Sequence, residues 1–305
     1  MYRIGIDVGG TNIAMGVVDE SLKIIKKNSI KTREAAEPEA MIAAIAKGVK
    51  DLMAEAGLKE DDIESIGVGV PGTAELDTGR IMYANNLGFE EVPFLPKLQE
   101  ALGDELGSRT VFDNDANAAA LGEYVAGGYK VPVFLMVTLG TGIGGGIIVD
   151  GKVLRGLNYA AAELGHMSIN VEGCDCNCGR KGCFEDYASA TALIEMAKEA
   201  GLPEDTDGEK FFALVKEGNE TARKVLDKYV FYLSEGLINL INILQPDVLA
   251  LSGGITRAAD LFLDDVRKRV SVGVYSRSSS KNTEIIVANG IPDAGDVGII
   301  GAALI

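Results

Sequence analysis

Short apolar runs that end at glycine or polar residues alternate with longer stretches of helical periodicity. Runs of about four to eight apolar residues between turn residues predict strands, and apolar positions every three or four residues predict helices. The predicted strands are residues 2–8, 13–19, 22–30, 66–70, 110–113, 131–138, 147–150, 248–251 and 285–288. The predicted helices are residues 38–57, 95–102, 117–128, 187–201, 209–215, 217–244 and 296–305. Mixed strands and helices in this order predict an α/β protein.

One pattern, a strand followed by a glycine-rich turn and a returning strand, occurs twice. The first turn is residues 9–12, and we assign residues 140–146 to the second. Two similar halves predict a duplicated domain with a cleft between the copies. Turn N–H groups can hold phosphates, and Asp7 at the end of the first strand can hold the accompanying metal ion. The plain alternative is that these glycines serve only hairpin geometry.

Polar and glycine residues also follow two other predicted strands. Asp113, Asn114 and Asp115 lie between a strand and an alanine-rich helix. A carboxylate at the carboxyl end of a strand is placed to serve a ligand, although capping of the next helix is the simpler role. Gly253 and Gly254 follow the strand 248–251. They would let a flat ring lie against the backbone, or they cap the following helix.

A single stretch, residues 163–185, contains the only histidine and all four cysteines. These residues are His166, Cys174, Cys176, Cys178 and Cys183. Imidazole and thiolates at short spacing favour tetrahedral zinc, and a closed set of four such ligands is typical of a structural site. Small buried core residues or a disulfide pair are the alternatives. The start of the chain lacks the pattern of a secretory signal, which argues against a disulfide.

Bulk properties exclude some classes of function. The chain has 305 residues, enough for two domains, and 47% of them are hydrophobic. Its net charge is −16 and it contains no basic block, so we expect no nucleic-acid partner. No apolar run reaches the length of a membrane span, so we also expect no membrane partner and a cytoplasmic location.

Several motifs resemble known families. Residues 7–12, the second glycine turn and residues 252–254 together resemble the phosphate and adenosine motifs of the superfamily of actin, chaperone ATPases and hexokinases. The sequence from Glu163 to His166, followed by residues 176–185, is similar to the signature of the ROK family of sugar kinases, which includes bacterial and archaeal glucokinases. Residues 67–72 and 113–123 also resemble that family, so the resemblance covers the whole chain.

The resemblance implies a fold and a division into domains. The fold would be an actin/hexokinase-like (ribonuclease H-like) α/β fold with duplicated domains and an interdomain cleft. We predict a small N-terminal domain of residues 1–116 plus 293–305. A larger domain of residues 117–292 would carry the zinc site.

The resemblance also implies roles for individual residues. Asp115 would be the catalytic base that takes the proton from the primary hydroxyl of the sugar. The sugar-binding residues would be Gly72, Asn86, Asn114, Asp115, Glu163, His166 and Glu185. The nucleotide would be bound by Asp7, Gly9, Gly10, Thr11, Asn12, Gly140, Thr141, Gly142, Gly253 and Gly254. Zinc would be held by His166, Cys176, Cys178 and Cys183, with Cys174 additional to the pattern.

The predicted function is phosphoryl transfer from Mg-ATP to the 6-hydroxyl of glucose, by a homo-oligomer (a dimer or tetramer) with a structural zinc ion. Another hexose (N-acetylglucosamine, N-acetylmannosamine or fructose) is the alternative substrate, and ADP or polyphosphate the alternative donor. ROK-like repressors need a DNA-binding segment before the first strand, where only Met1 and Tyr2 precede residues 3–7, so we expect a kinase. The cluster of Glu163, His166 and Glu185 argues against an actin-like ATPase without a small substrate.

Overall fold

A computed structural model describes residues 1–293 and 295–305 of the chain. They form two compact units. Unit 1 comprises residues 1–130, 152–161 and 289–305, and unit 2 comprises residues 131–151 and 162–288. The domain boundaries given above stay a prediction. Among the described residues, the helices are all too short or too polar to cross a bilayer.

Thirteen strands and ten α-helices are assigned in the described residues. The strands are β1 (Tyr2–Val8), β2 (Asn12–Val18), β3 (Ile24–Lys31), β4 (Ile63–Val70), β5 (Thr73–Glu75), β6 (Arg80–Ala84), β7 (Phe89–Val92), β8 (Thr110–Asn114), β9 (Val133–Leu139), β10 (Ile143–Val149), β11 (Lys152–Val153), β12 (Val248–Ser252) and β13 (Glu284–Val287). The helices are α1 (Pro38–Ala56), α2 (Phe94–Leu102), α3 (Asp104–Ser108), α4 (Asp115–Ala126), α5 (Glu185–Ala188), α6 (Ala190–Glu199), α7 (Gly208–Lys216), α8 (Glu220–Leu244), α9 (Leu263–Gly273) and α10 (Val297–Ala303).

The main sheet of unit 1 has the strand order β3-β2-β1-β4-β8. β1 and β2 form an antiparallel hairpin, whereas β4 and β8 run parallel to β1. Helix α10 packs closely on this sheet because the strands present glycine to it. A Cβ atom at Gly5 would lie 1.8 Å from the carbonyl oxygen of Ile299, and one at Gly67 would lie 1.8 Å from that of Ala302.

The sheet of unit 2 repeats this arrangement. Its strands within the unit follow the order β10-β9-β12-β13, with β9 and β10 antiparallel and with β12 and β13 parallel to β9. Helix α8 buries one apolar face that includes Tyr229, Leu233 and Leu237. Each unit therefore contains a hairpin followed by two parallel strands, which confirms the predicted duplicated α/β fold.

Two predicted boundaries are wrong for an identifiable reason. The second glycine turn ends at Gly142, because β10 begins at Ile143 and Gly144–Gly146 pair with Thr138–Met136. A Cβ atom at Gly145 would lie 2.2 Å from Cδ1 of Leu164, so this glycine permits close packing on a strand. Helix α4 begins at Asp115, two residues earlier than predicted, because Asn114 caps it. The small sheet β5-β6-β7, strand β11 and helices α3 and α9 were not predicted.

Candidate functional site

The predicted ligand-binding residues of unit 1 lie at one edge of its main sheet. β1, β4 and β8 are parallel, and their register aligns Asp7 with Gly69 and Gly69 with Asp113. The carboxyl ends of these strands therefore meet at the same edge, which is where open α/β sheets bind ligands. Asp7 lies at the end of β1, Gly72 follows β4, and Asp115 follows β8.

Asp115 is the first residue of α4 and is half-buried. Its Oδ1 accepts a hydrogen bond from the N–H of Ala116 at 2.8 Å. The end of β4 packs against it, since a Cβ atom at Gly69 would lie 3.3 Å from the Cα of Asp115. One carboxylate oxygen is therefore held by a backbone N–H, and the backbone that carries the side chain is held by the end of β4.

Asn114 uses its side chain to hold local structure. Its Oδ1 accepts from the N–H groups of Ala116 and Asn117 at 2.9 and 3.1 Å, and its Nδ2 donates to the carbonyl oxygen of Gly72 at 3.0 Å. The capping role that the sequence left open is therefore real for Asn114. Gly72 has a φ of +79°, and a Cβ atom there would lie 2.0 Å from the carbonyl oxygen of Tyr83. The structure thus brings two predicted sugar-binding residues together.

The first glycine turn is closed by backbone contacts. The N–H of Gly9 donates to the carbonyl oxygen of Asn12 at 2.9 Å, and the Thr32 hydroxyl donates to the carbonyl oxygen of Gly9 at 2.7 Å. A Cβ atom on Gly10 would lie 3.8 Å from the Cβ of Asn86, so the predicted phosphate turn and a predicted sugar residue are neighbours. Burial raises the pKa of Asp7, and a bound cation would favour its ionised form.

In unit 2, four side chains converge as a tetrahedral metal site requires. The ligand atoms of His166, Cys176, Cys178 and Cys183 all lie within 4.8 Å of one another. The Sγ atoms of Cys178 and Cys183 are 3.6 Å apart, and Cys176 Sγ lies 3.8 Å from His166 Nδ1. Ligands at the usual zinc distances of about 2.3 Å for sulfur and about 2.0 Å for nitrogen would have nearly these separations. The donor set therefore fits zinc.

The fourth cysteine lies outside this group. Cys174 is exposed, and its backbone N–H donates to the Tyr187 hydroxyl at 3.1 Å. All four cysteines are free thiols. Burial raises the pKa of the Cys176 and Cys183 thiols, whereas the backbone N–H of Arg180 lowers that of Cys178. Buried thiolates need a nearby cation, which a metal ion supplies.

Glu185 joins this metal cluster to the second glycine turn. Its Oε1 lies 3.6 Å from His166 Nδ1 and 3.7 Å from Cys176 Sγ, and its Oε2 accepts the N–H of Ile143 at 3.4 Å. A Cβ atom on Gly142 would lie 2.5 Å from that Oε2, so a larger residue here would displace the Glu185 carboxylate. Two sites predicted separately from the sequence, one for sugar and one for phosphate, therefore share one carboxylate.

Glu163 belongs to the same electrostatic environment. Its side chain keeps access to solvent, yet the protein atoms around its carboxyl group desolvate it and raise its pKa. The nearby His166 lowers the pKa and the nearby Glu185 raises it. Glu163, His166 and Glu185 thus form the cluster of polar groups that the sequence predicted.

A pocket of about 540 Å³ opens beside the second glycine turn. Gly140 and Thr141 line one side of it and Gly254 lines another, as expected for strands β9 and β12 that end at the same edge of the sheet. The carbonyl oxygen of Gly140 accepts from the N–H of Ala190, and that of Thr141 accepts from the Thr191 hydroxyl. The pocket has the size of a small-molecule site.

Several lining residues were not predicted from the sequence. They are Leu193, Ile194, Glu209, Phe212, Lys216 and Arg257. They come from α6, α7 and a 3-10 turn at Gly254–Leu261, and no local motif distinguishes them from ordinary helix residues. Only their helical periodicity was visible, and it indicates a packed face rather than a ligand.

Comparisons with known proteins agree with these motifs. A sequence model of the ROK family matches residues 3–305. A glucokinase from Halalkalibacterium halodurans is 34% identical over 312 aligned residues, covering 97% of this chain and 93% of that protein. An N-acetyl-D-glucosamine kinase from Citrobacter koseri is 32% identical over 264 residues, covering 83% of this chain and 84% of that protein.

A solved structure has the same fold. The crystal structure of a ROK family glucokinase from Streptomyces griseus in complex with glucose and AMPPNP superposes with a TM-score of 0.82 at 31% identity, covering 99% of this chain and 98% of that chain. The predictions of the actin/hexokinase-like fold and of an enzyme of the hexokinase or glucokinase class are confirmed by these matches. The roles of individual residues stay predictions. Because the family model spans nearly the whole sequence, the chain belongs to the ROK family.

Proposed function

We propose that this protein transfers the γ-phosphoryl group of ATP to the 6-hydroxyl of glucose. The observation that best supports this is the position of Glu185, whose carboxylate contacts both the His166–cysteine cluster and Ile143, the residue that directly follows the second glycine turn. A kinase must hold a sugar hydroxyl close to a terminal phosphate, because phosphoryl transfer depends mainly on positioning and charge neutralisation. A carboxylate shared by a sugar site and a phosphate turn fits that requirement.

Asp115 is the proposed general base. It accepts the proton of the 6-hydroxyl as the oxygen bonds to the γ-phosphorus and the bond between that phosphorus and the bridging oxygen of ATP breaks, which releases ADP. It is the first residue of α4, and helix N-termini interact favourably with negative charge. Gly72, Asn86 and Asn114 would then complete the sugar site of unit 1.

Asp7 is the proposed partner of the magnesium ion that accompanies ATP. Mg²⁺ supplies positive charge that neutralises the phosphate oxygens when it is bound. The turn residues Gly9, Gly10, Thr11 and Asn12 would hold phosphate through backbone N–H groups. The raised pKa of Asp7 supports this role, because a desolvated carboxylate gains most from a nearby cation.

Zinc is proposed to shape the sugar site without taking part in the transfer. His166 Nδ1 lies 3.8 Å from Cys176 Sγ and is the proposed ligand atom. The other nitrogen, Nε2, must then carry the proton and act as a fixed donor. We propose that it donates to a hydroxyl of the sugar, together with Glu163 and Glu185 as acceptors.

The pocket beside Gly140, Thr141 and Gly254 is the proposed site of the adenosine part of ATP. We expect Gly254→Leu to raise the KM for ATP by about tenfold or more, equivalent to about 1.4 kcal/mol of binding. A Cβ atom at Gly254 meets no atom within 4 Å and its φ is not left-handed, so the chain accepts the larger residue while the pocket loses volume. Initial rates at saturating glucose measure the effect.

Gly254→Ala is the control for this experiment, because one methyl group leaves most of the pocket open. The KM for glucose should stay within about twofold in both variants. An unchanged KM for ATP in the leucine variant would place the nucleotide elsewhere, and would favour a donor such as polyphosphate that needs no adenosine pocket.

A kinase for N-acetylglucosamine is the second candidate, because an N-acetyl-D-glucosamine kinase is also similar over most of the chain. N-acetylmannosamine and fructose remain further alternatives. A coupled assay with each hexose and with ATP, ADP or polyphosphate tests the proposal. We expect the highest kcat/KM for glucose with ATP, and a higher value for any other pair would replace the assignment. The predicted homo-oligomer is tested on the same samples by light scattering.

A further inference from the structure

An arginine that the sequence did not single out holds the residue two positions before the proposed base. Arg155 contacts Asp113 Oδ2 with both Nε and Nη2, each at 2.7 Å. The Asp113 side chain is only 3% exposed. A carboxylate buried to this degree is unfavourable unless it is paired and hydrogen-bonded, and Arg155 supplies the paired cation.

The other oxygen of Asp113 contacts the chain on both sides of Asp115. Oδ1 accepts the N–H of Asn114 at 2.8 Å and the Nδ2 of Asn117 at 3.2 Å. Asn117 is buried in α4, and Asn114 is the cap of the same helix. The carboxylate that Arg155 orients therefore sets the path of the backbone from which the Asp115 side chain projects.

The segment that carries Arg155 is itself well anchored in unit 1. The N–H of Ala161 donates to the carbonyl oxygen of Arg155 at 3.0 Å, which closes a turn containing Gly156 at a φ of +75°. The Tyr159 hydroxyl is hydrogen-bonded to Asp77, and this bond raises the pKa of Tyr159. Arg155 thus reaches Asp113 from a fixed support, and an arginine fork on such a support can hold one carboxylate orientation.

We infer that Arg155 is a positioning residue for the phosphoryl transfer: through Asp113 it fixes the orientation of the Asp115 carboxylate without touching either substrate. The inference rests on the proposed function, because it needs Asp115 to be the base. It also gives Asp113 a role of its own: Asp113 transmits the position of Arg155, whereas its neighbour Asn114 caps α4.

Arg155→Ala is expected to lower kcat by about 10- to 100-fold, the effect of a misplaced reacting group. The KM values for glucose and ATP should change by less than about threefold, because the lost contact is to Asp113 and not to a substrate. Guanidinium ion at about 50 mM, far below denaturing concentrations, should restore part of kcat by occupying the site left by the side chain. Urea at the same concentration should restore none.

Arg109→Ala is the matched control. Arg109 has a similarly exposed side chain, 29% against 30% for Arg155, and donates to the carbonyl oxygens of Glu60 and Ile63. It lies away from the strand–helix junction, so its loss should lower the melting temperature and leave kcat within about twofold. Arg155→Lys keeps the charge but not the planar fork, and should give an intermediate kcat with a near-normal melting temperature.

The outcomes separate this inference from the proposed function. An inactive Asp115→Asn enzyme combined with normal kcat in Arg155→Ala would overturn the role of Arg155 alone. If Arg155→Ala does not fold, normal kcat in Arg155→Lys would overturn it equally. A loss of kcat that guanidinium does not restore, or an equal loss in Arg109→Ala, would show a merely structural arginine. An active Asp115→Asn enzyme would instead remove the base from the proposed function.

Discussion

Asp115→Asn should reduce kcat by about 100- to 10,000-fold, the usual contribution of a positioned general base. The substitution keeps the size of the side chain, and an amide oxygen can still accept the N–H of Ala116. What it removes is the ability to take the proton of the sugar hydroxyl. Rates from a coupled assay and glucose binding measured by calorimetry would separate turnover from affinity, and we expect the dissociation constant for glucose to change by less than about fivefold.

Asp104→Asn is the matched control, because it makes the same chemical change at the first residue of another helix. Asp104 is the first residue of α3 in unit 1, as Asp115 is of α4, but it is exposed. The loss of a charge at a helix N-terminus costs little at the surface, so kcat should be unaffected. A kcat for Asp115→Asn within about tenfold of the unmodified enzyme would remove Asp115 from the mechanism.

Local sequence was sufficient for features that depend on neighbouring residues. The hairpin of β1 and β2 follows from two apolar runs separated by glycines, and α1 follows from the helical spacing of Met41, Ile45, Val49 and Leu52 up to Gly57. The duplicated arrangement was visible because the strand–turn–strand pattern occurs in both halves. The cysteine cluster was visible because all its ligands except His166 lie within eight residues of one another.

Features that depend on contacts between residues far apart in the sequence could not be predicted from it. The contact of Arg155 with Asp113 joins residues 42 positions apart, and nothing near either residue indicates the other. The pocket beside the second glycine turn likewise collects residues from β9, α6, α7 and the turn after β12. In both cases the residue types are common ones, so only the path of the chain in three dimensions selects them.

The glycines of residues 140–146 show why the end of a turn is hard to predict from a glycine-rich sequence. Residues 140–146 are rich in glycine, and a pattern of this kind favours a turn. Gly142 lies against the carboxylate of Glu185, whereas Gly145 is needed because Leu164 packs on the strand there and the carbonyl oxygen of Met136 is close by. Glycine is therefore present at these two positions because of two different contacts, with Glu185 and with Leu164. Neither contacting residue is close to its glycine in the sequence.

Removal of zinc should lower glucose affinity by more than about tenfold, because the segment around the metal has no regular secondary structure to hold His166 and Glu185 in place. Residues 167–184 contain no α-helix or named strand in the structure, and are held by turns and by two isolated bridges, Ser168 with Cys183 and Asp175 with Lys181. Without the metal, His166 and Glu185 would lose their fixed geometry. Elemental analysis should give one zinc ion per chain, and Cys176→Ser or Cys183→Ser should abolish it.

Cys174→Ser is the decisive control, because it is the same substitution in the same segment at a cysteine outside the ligand group. It should keep the full zinc content and the full affinity for glucose. ATP binding should survive in every variant, since the pocket is lined by β9, α6, α7 and the residues that follow β12. Zinc-free protein that binds glucose normally would separate the metal from sugar recognition, and loss of zinc in Cys174→Ser would change the ligand set.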